Sequence, residues 1–124
     1  MTVVLFYGEK DVGKTTKCRQ LHDLLCLIPH AVIEFYQLKD SDFKSKITIN
    51  NLSVSIYSAG DDAATLKESV EWANLCNCDC HLGAVRKNTK YNNLITQFKT
   101  TEDIIWISLK TKHSKKSDVL KKST

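Results

Sequence analysis

The sequence predicts an α/β fold of three layers, with helices covering a mainly parallel sheet that includes one antiparallel hairpin strand. Three observations carry that prediction. Short apolar runs of strand character alternate with stretches whose apolar residues recur at helical spacing, the pattern of strand–helix–strand units. Two alternating runs are separated only by Asn50-Asn51, a hairpin signature. Hydrophobic residues make up 42% of the 124-residue chain and charged residues 26%, which suits one domain with one core.

Val3–Tyr7 reads as the first strand, central because it is apolar on both faces. A helix is expected from about Gly13 to Ile28, with Cys18, Leu21, Leu24, Leu25 and Ile28 as its buried stripe and Pro29 as its end. Ala31–Tyr36 is a second apolar strand, and Lys39–Asp42 a polar loop. Lys46–Ile49 and Leu52–Tyr57 alternate about the Asn50-Asn51 turn, so the Lys46–Ile49 strand should run against its neighbours. A helix over about Ala63–Leu75 follows, capped by Asp61 or Asp62, with Leu66, Val70 and Ala73 inward. Cys80–Val85 is a strand, and Arg86–Lys90 a polar turn. Tyr91, Leu94, Ile95 and Phe98 mark a short helix, and Ile104–Leu109 is a last buried strand.

The net charge of +4 is unevenly placed. Lys110–Thr124 holds six lysines and one aspartate, a net +5 that leaves −1 for the domain spanning residues 1–109. Such a basic tail can meet phosphate backbones, but no aromatic residues are interleaved to stack on bases, so a solvated end is the default. Without an 18-residue apolar stretch no transmembrane helix is expected, and no basic n-region suggests a signal peptide. A cytoplasmic location with five reduced cysteines follows as an expectation.

The chemistry concentrates in Gly8-Glu9-Lys10-Asp11-Val12-Gly13-Lys14-Thr15, which fits G-x-x-x-x-G-K-[ST] between a strand and a helix. Glycines let such a loop curl with its N–H groups inward, and the helix N-terminus adds a positive end, making a phosphate cradle. On these residues the chain resembles the P-loop NTPase superfamily. The resemblance implies that Gly8, Lys10, Asp11, Val12, Gly13, Lys14 and Thr15 wrap a nucleoside triphosphate. Lys14 would bridge its β- and γ-phosphates, Thr15 would put its hydroxyl on Mg²⁺, and Thr16 could reach the α-phosphate.

In an open α/β sheet, ligands sit beyond the carboxyl ends of the strands. Residues just after a strand can therefore reach the nucleotide, and residues just before one generally cannot. Asp61, following Leu52–Tyr57, is thus the candidate Walker B acid for the metal, while Asp62 is the better helix cap. Arg86, following Cys80–Val85, could stabilise transferred phosphate. Lys14, Arg86 and Asp61 are the candidate catalytic set.

Tyr57-Ser58-Ala59-Gly60 departs from the D-T-A-G element of small GTPases at its metal-associated Asp and at its Thr. The guanine-reading [NT]-K-x-D is also missing, since Thr111-Lys112-His113-Ser114 ends in a residue without a carboxylate. ATP is therefore favoured. Cys76, Cys78, Cys80 and His81 are zinc-ligand types, but the spacing lacks a second pair and neighbours in a strand face opposite ways. The resulting expectation is a Mg²⁺-dependent ATPase. A small-molecule kinase, a GTPase-like protein and a nucleotide-dependent binding or switch module that could self-associate stay open beside it.

Overall fold

Val3 and Leu5 are fully buried on one face of the first strand, and Phe6 on the other, because helices pack on both sides of it. The computed structural model describes residues 1–9, 12–100 and 102–110. Along these residues run β1 (Thr2–Gly8), α1 (Lys14–Cys26), β2 (Ala31–Lys39), β3 (Asp42–Ile49), β4 (Leu52–Tyr57), α2 (Ala63–Cys76) and β5 (Cys80–Arg86). A 3₁₀ turn (Thr89–Tyr91), α3 (Asn92–Ile95) and β6 (Ile105–Ser108) follow. The fold is α/β, and the sheet is mixed, in the order β2-β3-β4-β5-β1-β6. β2, β3 and β4 form an antiparallel meander, while β4, β5, β1 and β6 pair in parallel.

Two cores lie on the two faces. α1 covers Phe6, Ile47, Ile56, Leu82 and Ala84 through Cys18, with Leu21 and Leu25 beside it. α2 covers Val3, Leu5 and Val85 through Leu66, Val70 and Ala73. The second core encloses one polar cluster. His81 is fully buried, with its Nδ1 2.8 Å from Ser55 Oγ and its Nε2 3.2 Å from Ser69 Oγ. Both ring nitrogens are thus occupied, and burial pushes the imidazole down to about 3.

Several elements differ from their sequence expectations. The Lys39–Asp42 loop is a tight turn at Asp40-Ser41, with Asp40 at φ 56°, so the meander has two hairpins rather than one. The buried face of α1 is rotated: Leu24 and Ile28 are exposed, and His22 is buried instead, 3.0 Å from Ser45 Oγ on β3. β6 is an edge strand rather than a buried one, with Ile105, Trp106 and Ile107 exposed. Asp62 caps α2, as the sequence favours, in a capping box with Thr65. All five cysteines are free thiols, and no helix among the described residues is long and apolar enough to cross a membrane. The basic tail lies outside the described residues after Lys110.

Candidate functional site

Five strands point their carboxyl ends to one edge of the sheet, and β3 starts there. At that edge β1 ends in Gly8, where a Cβ would meet Leu109 O at 2.7 Å and Val12 Cγ2 at 2.9 Å. Gly13, in the left-handed region at φ 94°, leads directly into α1. Gly13 offers no side chain to cap the helix, and the first turn of α1 carries no acid. The start of α1, with no side-chain cap bond, faces a cleft of about 500 Å³.

Lys14 is buried, and its Nζ donates to Glu9 O at 2.6 Å and Gly8 O at 3.3 Å. It also pairs with Asp61 Oδ1 at 3.0 Å. Asp61 reaches this position because Gly60 lies flat on β5: its carbonyl accepts from Arg86 N, and a Cβ on it would fall 1.7 Å from Ala84 O. After β4 the chain thus turns back toward Lys14. Asp62, occupied with the Thr65 amide, has its carboxyl held below the usual range by that hydrogen bond.

A second acid sits at the site that the sequence reading passed over. Asp42 Oδ1 accepts from Thr15 Oγ1 at 3.0 Å and from Ser58 Oγ at 3.1 Å. The sequence reading places it in the polar loop Lys39–Asp42 and gives it no role, whereas it is the first residue of β3. β3 runs antiparallel, so its first residue lies where its neighbours end. The signal available was the hairpin itself, which had already assigned β3 its direction. Arg19 was also missed. It lines the cleft one helical turn beyond Thr15, its guanidinium 4.2 Å from the Phe43 ring centre and bonded to Tyr36 OH at 2.6 Å.

The structure thus gathers Gly13, Lys14, Thr15, Thr16 and Asp61 around one cleft. Gly8 is not in its lining but accepts from Lys14 Nζ, and Val12 is buried against Gly8. Lys10 and Asp11 lie outside the described residues. Arg86 stands beside Gly8 in register but lines a separate pocket with Glu9, Tyr7 and Trp106. The Cys76–His81 cluster is at the opposite end of the sheet, where β5 starts, and its His81 is sealed between Ser55 and Ser69. Asp79 is there too, accepting from Ser53 N at 2.9 Å. No family model matches the chain, and comparison with curated proteins and with solved structures gives no match either.

Proposed function

We propose that the chain is a P-loop nucleoside triphosphatase that binds a triphosphate at the N-terminus of α1, with ATP the favoured nucleotide and Mg²⁺ its cofactor. One observation carries this reading. The Gly8–Thr15 motif brings an uncapped helix start, a buried lysine and a hydroxyl–carboxylate cluster to a single cleft. The cluster fits the metal. Thr15 Oγ1, Asp42 Oδ1 and Ser58 Oγ are hard oxygen donors already within hydrogen-bond distance of one another through Asp42. Thr15 and Asp42 would hold Mg²⁺, with Asp61 as the second acid beside them. When bound, Mg²⁺ neutralises charge on the β- and γ-phosphates.

The Lys14 ammonium is held in the site by Asp61 and two carbonyls. A triphosphate competes with these acceptors for the ammonium. Its arrival would release Asp61 to orient a water toward the γ-phosphate. Arg86 lies outside this cleft, and Arg19 lines it, so Arg19 is the better candidate to meet phosphate charge from the protein side.

A phosphoryl-transfer reading is favoured by one feature. Asp42 also lines a second pocket of about 380 Å³ with Tyr57, Lys44 and Glu68, on the α2 side of the sheet. An acceptor there would receive the γ-phosphate in place of water, and following labelled γ-phosphate into free phosphate or an organic product separates the two readings.

The central test is a calorimetric titration of ATP and GTP, with and without Mg²⁺, on the wild type and Lys14→Ala. Mg²⁺-dependent binding in the wild type that weakens at least tenfold in Lys14→Ala is expected. A wild type that binds neither nucleotide ends the proposal.

A further inference from the structure

On the α2 face the sheet runs one strand past its helical cover. α2 packs over β1 and β5, and the four-residue α3 adds Ile95 to the same core. Beyond them Trp106 on β6 stays 44% exposed. The step holds a pocket of about 590 Å³. Tyr7 and Val85, paired in register near the ends of β1 and β5, line it with Ile95 and Trp106. The Trp106 and Tyr7 rings meet edge to face, with centroids 5.4 Å apart and planes at 88°. Arg86 and Lys87 line the same pocket beside Glu9, two cations to one acid. Their backbone is pinned, since Arg86 N donates to Gly60 O at 2.9 Å and Lys87 N to Gly8 O at 2.8 Å. Among the described residues neither cation belongs to an ion pair. No residue of this lining is shared with the cleft at the start of α1.

We propose that this pocket binds a small ligand made of a flat aromatic ring carrying an anionic group, a carboxylate or a phosphate. The size fits such a molecule, since small-molecule sites run to roughly 300–1,000 Å³ and pair a mostly apolar lining with a few polar groups that fix orientation. The apolar lining fits the ring. Tyr7 occupies one contact of the Trp106 indole, and the exposed remainder offers a surface on which a second ring can stack. The charged lining fits the anion. The Arg86 guanidinium can present paired N–H donors to two oxygens of a carboxylate or phosphate, and Lys87 adds a second positive charge. Glu9 offsets one of the two cations and leaves a net positive charge for the ligand. A cationic ligand would meet that excess as repulsion. An uncharged apolar ligand would take water from Arg86 and return no hydrogen bond. The site stands on its own residues and does not depend on a triphosphate in the other cleft.

Calorimetric titration of the full chain with naphthyl phosphate tests this. One equivalent should bind, roughly tenfold or more tightly than naphthol, which lacks the anion, and than methyl phosphate, which lacks the ring. Naphthoate in the same titration shows which anion the site prefers. Arg86→Gln should weaken naphthyl phosphate roughly tenfold or more and leave naphthol unchanged, and Arg86→Lys should recover part of the loss. Trp106→Ala should weaken both ring-bearing probes. Lys14→Ala should bind naphthyl phosphate as the wild type does, because Lys14 belongs to the other cleft. The wild type alone supplies a further readout: in a two-dimensional NMR spectrum the indole N–H of Trp106 should shift with ligand, while that of Trp72, donated to Ser45 O, should stay. A wild type that binds no naphthyl phosphate, an Arg86→Gln protein that binds it unchanged, binding that is lost in Lys14→Ala, or an NMR shift at Trp72 without one at Trp106 would each overturn the proposal.

Discussion

Asp42 shows how one side chain changes the reading of a site. It joins the hydroxyls of Thr15 and Ser58, which come from a helix start and a strand end. Asp42→Asn keeps the shape and an acceptor oxygen but removes the charge that would attract Mg²⁺. Nucleotide affinity in Mg²⁺ should fall about tenfold, while affinity in chelator stays near that of the wild type, as read by calorimetry. Equal losses under both conditions would remove Asp42 from the metal set. His81 supports a prediction of another kind. Its folded value of about 3 lies below the ordinary 6.5 of an exposed imidazole, so below pH 6.5 the unfolded chain binds a proton that the folded chain excludes. The stabilisation is complete above pH 6.5 and is lost as the pH falls toward 3, by up to about 1.4 kcal/mol per pH unit. Urea midpoints between pH 7 and pH 4 should show that slope, and His81→Gln, whose amide can still bond both serines, should flatten it.

At the level of elements, the sequence is most informative where burial and periodicity coincide. β1, β4, β5 and α2 lie close to where apolar spacing put them, since each is covered on the face its pattern marks. The α1 stripe holds at Cys18, Leu21 and Leu25 but not at Leu24 and Ile28, because the buried face includes His22, whose serine partner is on a strand 23 residues away. β6 was misjudged because an apolar run specifies what a strand prefers to touch, not whether a neighbour is present. The placing of Gly8, Gly13 and Lys14 between a strand and a helix was legible from spacing alone. The approach of Asp61 was not legible in spacing, since it depends on Gly60 lying against β5. Gly60→Ala tests that dependence. Its methyl would overlap Ala84 O, so the connection between β4 and α2 must lift away from β5. A loss of about 1–3 kcal/mol in chemical denaturation is expected from the overpacking, together with weaker nucleotide binding, because Ser58 and Asp61 move with the connection. Unchanged binding in a destabilised Gly60→Ala protein would detach this loop from the site.

Across the whole molecule, the cleft lies where the chain leaves the sheet on opposite faces. β1 leaves to α1 on one side and β4 to α2 on the other, so their ends splay apart. The opening is bordered by pieces distant in sequence: Lys14 and Thr15 at the start of α1, Asp42 at the start of β3, Ser58 after β4 and Asp61 before α2. A ligand bound there would tie the meander to the parallel half of the sheet through contacts the unfolded chain cannot make. Its effect must then appear in global stability and not only locally. At a hundredfold excess over its Kd, Mg²⁺–ATP should stabilise the fold by about 2.7 kcal/mol, a rise of several degrees in Tm. Inorganic tripolyphosphate with Mg²⁺ should give much of the same rise, because the contacts proposed in the cleft are to phosphate rather than base. Lys14→Ala, which also loses the Asp61 pair and two carbonyl bonds, should lose the ligand-induced rise measured from its own ligand-free Tm. A wild type whose Tm is indifferent to both ligands would show that the cradle is a turn and a helix start and nothing more.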